Sequence, residues 1–217
     1  MKTTIKLLAI IGMSLILQAC GGISPETSCN FVQNSDKQRV SWANLPVKVF
    51  LHESIPSERI ADIEAAVEHW NQVSQVPLIQ IVSHKATGNL APTRDGVSLV
   101  TWHENWGNDN HKEQARTTIN WAKSKIYESD IKVNAQSFIY HDDGFGTPFV
   151  DLTSLMIHEF GHLLGLAHNE DVDSVMKSKL GFGVRRGYSL DLATNEVETD
   201  IREVDKNSMS CEYIIAE

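Results

Sequence analysis

The sequence predicts an α+β fold from two kinds of apolar pattern. Residues 60–70 place four apolar side chains at helical spacing, and residues 152–164 carry a second stripe of the same period. Residues 78–82 and 117–121 are short runs rich in β-branched and apolar side chains, which is typical of strands. Two amphipathic helices and several short strands in one chain indicate an α+β domain.

The connections between these segments also leave signals in the sequence. Residues 103–114 are polar and are expected to form a loop. Residues 142–148 are expected to form a glycine-rich turn that leads into the second helix. Beyond Met176, repeated glycines indicate irregular chain, and residues 191–204 are expected to form a last helix.

Residues 158–168 read His-Glu-Phe-Gly-His-Leu-Leu-Gly-Leu-Ala-His and fill every defining position of the pattern H-E-x-x-H-x-x-G-x-x-H. His158 and His162 are four positions apart, so on a helix they project from one face toward one metal ion. Gly165 can adopt a positive φ, so it can end the helix and let His168 supply a third ligand. Three protein ligands leave a fourth position for water, which is typical of a catalytic zinc.

The glutamate of this motif is the candidate general base. Glu159 lies about 100° around the helix from the first histidine, where a carboxylate can take a proton from a zinc-bound water without ligating the metal. A bare H-E-x-x-H also occurs by chance in helices that bind nothing. The additional matches at Gly165 and His168 exclude most chance matches of that kind. Asp151 or Thr153 can cap the start of the helix.

With these residues the chain resembles the metzincin zinc peptidases, in which the histidine motif is followed by a methionine-containing turn. Met176 lies eight residues after His168, a spacing that resembles the matrixin branch. In that family the methionine lies beneath the zinc histidines without ligating; an ordinary core methionine is the alternative interpretation. The resemblance implies a metzincin-like catalytic domain: a twisted mixed β-sheet with long helices, the zinc helix at the cleft, and a small C-terminal subdomain after Gly165.

The resemblance extends more weakly over residues 41–180. Residues 45–51 resemble the family's first strand, and residues 57–74 resemble its first long helix. Residues 96–102 resemble a central strand, and residues 126–134 resemble the strand pair that rims the cleft. Only the zinc motif and the methionine turn are highly specific.

Several positions depart from the matrixin pattern. Asn169 follows the third histidine, where matrixins usually carry serine, and Lys177-Ser178 stands where Tyr-Pro usually follows the methionine. Both positions lie near the specificity pocket, so the resemblance does not fix the side-chain preference of the cleft. Ser178 also occupies the position of the zinc-ligating tyrosine of astacins and serralysins. Residues 141–144 are interpreted as a polar turn, with a remnant of the family's structural metal sites as the alternative.

The resemblance implies a zinc-dependent endopeptidase that acts on proteins or peptides. One catalytic Zn²⁺ would be held by His158, His162 and His168, and Glu159 would activate the zinc-bound water. Substrate would lie extended against the rim strand. Two alternatives are a catalytically silent metzincin-fold binding module on the cell envelope and a metal-storage or metal-sensing protein. The intact Glu159 counts against the first, and the absence of a histidine-rich tract counts against the second.

Residues 1–19 have the pattern of a signal peptide. Lys2 and Lys6 precede an apolar run at residues 7–17, which is too short for an ordinary membrane span. The run ends in Leu-Gln-Ala-Cys, which resembles the bacterial lipobox; an ordinary secretory signal is the alternative. Cys20 would then be the lipidated first residue, residues 20–40 a flexible tether, and residues 41–217 the catalytic domain. This predicts a lipid-anchored protein of the bacterial cell envelope.

The charge and the cysteine content limit which partners and which disulfides are expected. The 217-residue chain has 19 basic and 28 acidic residues and no basic stripe, so nucleic acid is not an expected partner. A monomer is expected. If Cys20 is lipidated, Cys29 and Cys211 remain as a possible disulfide pair, with two free thiols as the alternative. Cys29 does not lie in a cysteine-switch sequence. Five histidines without metal-ligand spacing are expected in packing or on the surface: His52, His69, His84, His103 and His111.

Overall fold

One sheet and two helices form the core of the protein. The computed structural model describes residues 30–107, 110–141, 147–170, 174–190, 197–201 and 205–206. The sheet strands are β1 (Ser41–Trp42), β2 (Val47–His52), β3 (Ile79–Ala86), β4 (Ser98–His103), β5 (Ala115–Ala122) and β6 (Lys125–Asn134). The other elements are helices α1 (Ile60–Gln72) and α2 (Leu152–Leu163) and the hairpin strands β7 (Tyr188–Leu190) and β8 (Val197–Thr199). The predicted α+β class is confirmed.

The sheet is mixed, as the resemblance implies. Its order is β1-β6-β4-β2-β3, and the pairs along this path are parallel. β5 runs antiparallel to β6 along nearly its whole length and, among the described strands, pairs with no other. Within the described part of the chain, one side of β5 is therefore an unpaired strand edge.

The two predicted apolar stripes meet the inner face of the sheet. Ile63 and Trp70 of α1 are fully buried, and so are Phe160 and Leu163 of α2. Burying one such side chain stabilises the fold by roughly 1.5–3 kcal/mol. The indole N–H of Trp70 donates to the carbonyl of Ile157 at 2.8 Å. Besides burying α2, α1 therefore holds it in position through a hydrogen bond.

The described part of the predicted tether packs on the domain. Within residues 30–40, Asn34–Lys37 form a tight turn, and the Asn34 side chain accepts hydrogen bonds from the backbone N–H groups of Asp36 and Gln38. The Val32 N–H donates to the carbonyl of Gly165 at 2.8 Å, and Val40 is fully buried. Because Phe31 and Val40 are apolar, this segment has side chains to bury, unlike a purely polar tether. Residues 20–29 lie outside the described residues.

Two expectations about particular elements are wrong. Residues 126–134 belong to one continuous strand, β6, rather than to a strand pair, and the strand that borders the cleft is β5. The last helix expected over residues 191–204 is contradicted at Val197–Thr199, which is a strand paired with β7. Val197 and Thr199 are β-branched and two positions apart, which favours that strand. Residues 191–196 and 202–204 lie outside the described residues. Among the described residues, no helix is both long and apolar enough to cross a membrane.

Candidate metal centre and active site

The end of α2 sends the chain back toward the helix. The helix stops at Leu163, and Gly165 has φ +100°, as the sequence predicts. The Gly165 N–H donates to the carbonyl of His162, and the Leu166 N–H donates to the carbonyl of Gly161, both at 2.9 Å. These two bonds form a Schellman motif, which requires the left-handed conformation that glycine adopts without steric cost. The reversal brings His168 back beside the helix.

The start of α2 is fixed by the predicted cap. The Asp151 carboxylate accepts a hydrogen bond from the Ser154 N–H at 2.8 Å, so Asp151 rather than Thr153 caps the helix. Its other oxygen accepts the hydroxyl of Tyr188 at 2.7 Å. Burial and this carboxylate raise the pKa of Tyr188, so the phenol stays a donor. Strand β7 therefore holds the N-terminus of the helix that carries two of the candidate ligands.

The structure brings the three motif histidines together. Their ligand nitrogens lie within 4.8 Å of one another. Nδ1 of His158 lies 2.8 Å from the carbonyl of Val175, and Nδ1 of His162 lies 2.8 Å from that of Leu166. Each Nδ1 therefore carries the proton and donates it, which leaves Nε2 as the ligand atom.

The protonation of this cluster fits a zinc ion. Burial lowers the pKa of His158 to about 3, helped by the neighbouring His162. Burial also lowers the pKa of His168, again with a contribution from His162. Neutral imidazoles with free Nε2 lone pairs are the donors that Zn²⁺ prefers, and three of them match a catalytic rather than a closed site. The residues present therefore fit the metal that the motif predicts.

Glu159 lies beside the histidines on the same cleft and is 5% exposed. The hydroxyl of Thr117 on β5 donates to its Oε2 at 2.5 Å. Burial raises the pKa of Glu159, whereas the electrostatic interaction with the His162 ring and the Thr117 hydrogen bond oppose that rise. A buried carboxylate with a raised pKa and a single fixed donor suits a group that accepts and returns a proton. No pattern in the sequence indicated Thr117.

Met176 lies in a turn packed against the middle of α2. The turn is closed by the Lys177 N–H, which donates to the carbonyl of Ser174 at 3.3 Å. Met176 is 1% exposed, and a Cβ at Gly161 would lie 2.2 Å from its sulfur. The sulfur thus packs on bare helix backbone between the first two histidines. This is the position that the resemblance implies.

A buried carboxylate that the sequence did not indicate supports this turn. Asp205 is 1% exposed, and its two oxygens accept the Ser174 hydroxyl at 2.7 Å and the Val175 N–H at 3.0 Å. The carbonyl of Val175 is the acceptor that orients His158. Asp205 thus supports the candidate ligand His158 indirectly, by holding Val175. Nothing near Asp205 in the sequence marks it as part of the site.

The loop that carries His168 is held from two sides. On one side, the Asn30 side-chain amide donates to the backbone carbonyl of His168, and the Ala167 N–H donates to the carbonyl of Asn30 at 3.2 Å. On the other side, the Asn169 N–H donates to the carbonyl of Met176 at 2.9 Å. The bond from position 169 uses only the backbone, so it does not depend on the asparagine that replaces the usual serine.

The candidate site opens into a cleft of ≈ 660 Å³. Its walls are α2, the start of β5 with the residues before it, and the later residues His168, Val175, 177–181 and Arg186. Among the described residues, the three motif histidines are the only group of three or more histidine, cysteine or acidic side chains close enough to share a metal.

The remaining sequence-predicted positions lie away from this cleft or outside the described residues. Of the five histidines without metal-ligand spacing, His52, His69 and His103 are buried, and His84 and His111 are exposed. His141 is exposed, whereas the rest of its predicted turn, residues 142–144, lies outside the described residues. Cys20, Cys29 and Cys211 also lie outside them.

Comparison with known families agrees with this geometry. The sequence profile of the Matrixin family matches residues 36–199, well over half of the chain. The chain therefore belongs to the matrixin family, whose members are zinc peptidases acting on proteins or peptides. No curated protein sequence matches the chain.

Proposed function

We propose that this protein is a zinc endopeptidase in which His158, His162 and His168 hold the metal and Glu159 is the general base. The observation that carries the proposal is the convergence of three imidazole nitrogens within 4.8 Å beside a buried glutamate in an open cleft. Membership of the matrixin family supports the same reaction class. The intact glutamate favours catalysis over a silent binding module.

The protein side of the reaction follows from these positions. His158, His162 and His168 would hold the zinc, which would supply Lewis acidity: it would lower the pKa of water toward about 7 and polarise a carbonyl oxygen. Glu159 accepts a proton as the water oxygen attacks the scissile carbonyl carbon. Glu159 then donates that proton to the amide nitrogen as the C–N bond breaks. No covalent acyl-enzyme forms, so no serine or cysteine nucleophile is needed.

Substrate recognition uses the free edge of β5. Ala115, Arg116 and Thr117 line the cleft, and β5 pairs only with β6 among the described strands. An extended peptide can add to this edge as a further strand through backbone hydrogen bonds. These contacts place the scissile bond beside Glu159, because Thr117 of the same strand holds that carboxylate.

The proposed location is the bacterial cell envelope. The support is the N-terminal sequence alone: a signal-like segment at residues 1–19 followed by Cys20 in a lipobox-like context. In this proposal the mature protein is a monomer with a lipid anchor at Cys20, and the peptidase domain lies outside the inner membrane.

The first test replaces the base. Glu159→Gln keeps the size of the side chain but removes the proton acceptor, so hydrolysis of a denatured protein should fall about 10²–10⁴-fold with zinc still bound. Elemental analysis of the same samples separates loss of the base from loss of metal. Hydrolysis by Glu159→Gln at close to the wild-type rate would show that Glu159 is not the general base. An inactive wild-type protein that holds zinc would instead identify a binding module.

The second test concerns the third ligand. The motif predicts about one zinc per chain, and His168→Ala should lose most of it while the fold persists. Zinc content is measured by elemental analysis and folding by circular dichroism. His111→Ala is the matched control, because His111 is exposed and lies outside the cleft lining. Unchanged zinc in His168→Ala would place the third ligand elsewhere.

A further inference from the structure

One hydrogen bond joins two walls of the cleft. The side-chain amide of Gln114 donates through Nε2 to the carbonyl of Leu180 at 3.0 Å. Gln114 directly precedes β5, Leu180 lies four positions after Met176, and both residues line the cleft. This bond, here called the Gln114 bridge, therefore crosses the space between the β5 wall and residues 177–181.

The backbone at both ends of the Gln114 bridge is held in place. The carbonyl of Gln114 accepts the hydroxyl of Tyr140 at 2.7 Å and the N–H of Asn134 at 2.9 Å, and Tyr140 and Asn134 are both buried. The half-buried side chain of Leu180 packs against the hydrophobic core. Because both backbones are anchored, the bridge opens most easily by rotation of the glutamine side chain.

The Gln114 bridge lies a short distance along β5 from the proposed general base. Thr117 holds the Glu159 carboxylate, and Gln114 precedes Thr117 by three positions. An extended chain rises roughly 3.3 Å per residue, which puts the bridge about 10 Å along the wall from that contact. A peptide that lies along the β5 edge thus reaches the bridge about three residues from the scissile bond.

The direction of the peptide decides which of its ends meets the Gln114 bridge. Antiparallel strand pairs are more stable per residue than parallel ones, so an added peptide runs from the end of β5 toward its start. Residues on the carboxyl side of the scissile bond then lie beside Ala115 and Gln114. A substrate that ends one or two residues past the scissile bond stops before the bridge, whereas a longer substrate meets it.

We propose that Gln114 determines specificity by favouring substrates with few residues on the carboxyl side of the scissile bond. The inference rests on the proposed peptidase function. A longer substrate has to displace the Gln114 amide from the Leu180 carbonyl before it can lie along the whole cleft. The released carbonyl can then accept a backbone N–H of the peptide. The Gln114 bridge therefore slows the cleavage of longer substrates without excluding them.

The test compares peptides of different length, using the zinc-loaded protein. Mass spectrometry of a digested denatured protein first supplies a cleaved sequence. Synthetic peptides of that sequence then carry either two or five residues beyond the scissile bond, each with an amidated carboxyl end. Gln114→Ala should raise kcat/KM for the longer peptide about 2–10-fold relative to the shorter one, the worth of one neutral hydrogen bond. Extra residues before the scissile bond should affect wild type and variant equally.

Further variants separate the loss of this hydrogen bond from a general effect of substitution. Gln114→Asn keeps the amide but shortens the side chain by one methylene, so it should favour the longer peptide as Gln114→Ala does. Gln80→Ala is the matched control, because it removes an exposed glutamine from β3, outside the cleft lining. If Gln114→Ala fails to fold or to bind zinc, Gln114→Met replaces it, since methionine keeps the side-chain length without the donor.

The outcomes distinguish this inference from the function on which it rests. A length preference that is the same in the wild type and in all Gln114 variants, or that changes equally in Gln80→Ala, would overturn the inference and leave the peptidase proposal intact. If the zinc-loaded wild type cleaves no denatured protein, the peptidase proposal fails and the inference fails with it.

Discussion

Thr117 is the residue that ties the proposed general base to the sheet. Its hydroxyl donates to Oε2 of Glu159 at 2.5 Å and also lies 3.3 Å from the backbone carbonyl of that residue. The donor fixes the orientation of the carboxylate and stabilises its charged form, against the burial that raises the pKa of Glu159. A base must be ionised and aimed at the attacking water, and Thr117 contributes to both.

We expect Thr117→Val to lower kcat roughly 10–100-fold, the worth of a hydrogen bond to a charged group, while zinc binding persists. Loss of the donor should also raise the pKa of Glu159 further. Because the base acts when ionised, the acidic limb of the pH profile of kcat/KM should move to higher pH. Thr117→Ser, which keeps the hydroxyl, should restore most of the activity. An unchanged profile in the valine variant would show that Thr117 is only structural.

The two glycines of the motif show different limits of sequence reasoning. Gly165 was predicted to end α2, and its φ of +100° agrees, because the requirement is local. Gly161 occupies an undefined position of the motif, so nothing local explains it. Its reason is tertiary: a Cβ there would lie 2.2 Å from the sulfur of Met176 and 3.1 Å from Trp70.

Among the elements, the N-terminal segment and the loop after α2 form a unit. Phe31 forms an antiparallel bridge with Leu166, and the Val32 N–H donates to the carbonyl of Gly165 at 2.8 Å. Asn30 holds the backbone of His168 from the same side. A segment expected to be a tether therefore supports the loop that carries the third candidate ligand.

We expect Val32→Pro to weaken zinc binding about tenfold, the lower end for the loss of groups that support metal ligands. Proline removes the N–H that bonds Gly165. Competition with a chelator measures the zinc dissociation constant, and Asn30→Ala should shift it in the same direction. Ser35→Pro is the matched control, because position 35 is the second residue of the Asn34–Lys37 turn, which suits proline. Wild-type zinc affinity in both variants would limit this segment to a packing role.

For the whole molecule, the two ends of the described chain converge on the site. Asn30 contacts the loop of His168, the Asn169 N–H bonds the carbonyl of Met176, and Asp205 holds the residue before that methionine. Hydrogen bonds on neighbouring residues of the chain thus link the first described residue with the last described segment. Cys29 directly precedes Asn30, and Cys211 follows Asp205 by six positions. The disulfide between them stays a prediction, because both cysteines lie outside the described residues.

We expect the mature N-terminus to be Cys20 with lipid attached, and Cys29 to be linked to Cys211. Mass spectrometry of protein expressed with its signal detects the first, and peptide mapping without reductant detects the second. Cys20→Ser should move the protein from the membrane fraction to the soluble fraction, because stable anchoring needs the attached acyl chains. A mature chain that starts after Cys20, with both other thiols free to alkylate, would contradict both expectations. The peptidase proposal is independent of that outcome.

The sequence by itself determined the features whose physical causes are local. The spacing of His158 and His162, the helix stop at Gly165 and the periods of the two helices follow from 3.6 residues per turn and from glycine's conformational freedom. These predicted the fold class and the histidine cluster, and the resemblance of the complete motif and the methionine turn to the matrixins implied the family. The expectation for residues 191–204 failed at Val197–Thr199 because these residues pair with the neighbouring strand β7 in a hairpin, and this pairing outweighed the local helix propensity.

Only the tertiary structure decided which distant residues support the site. Thr117 reaches Glu159 across 42 positions, and Asn30 reaches His168 across 138. Asp205 and Gln114 likewise acquire their places through contacts with other elements, and no periodicity or spacing encodes them. The physical reason is that ligand geometry needs only one helix and one turn. The orientation of those ligands and the contact between the cleft walls depend instead on which loops the packed core brings together.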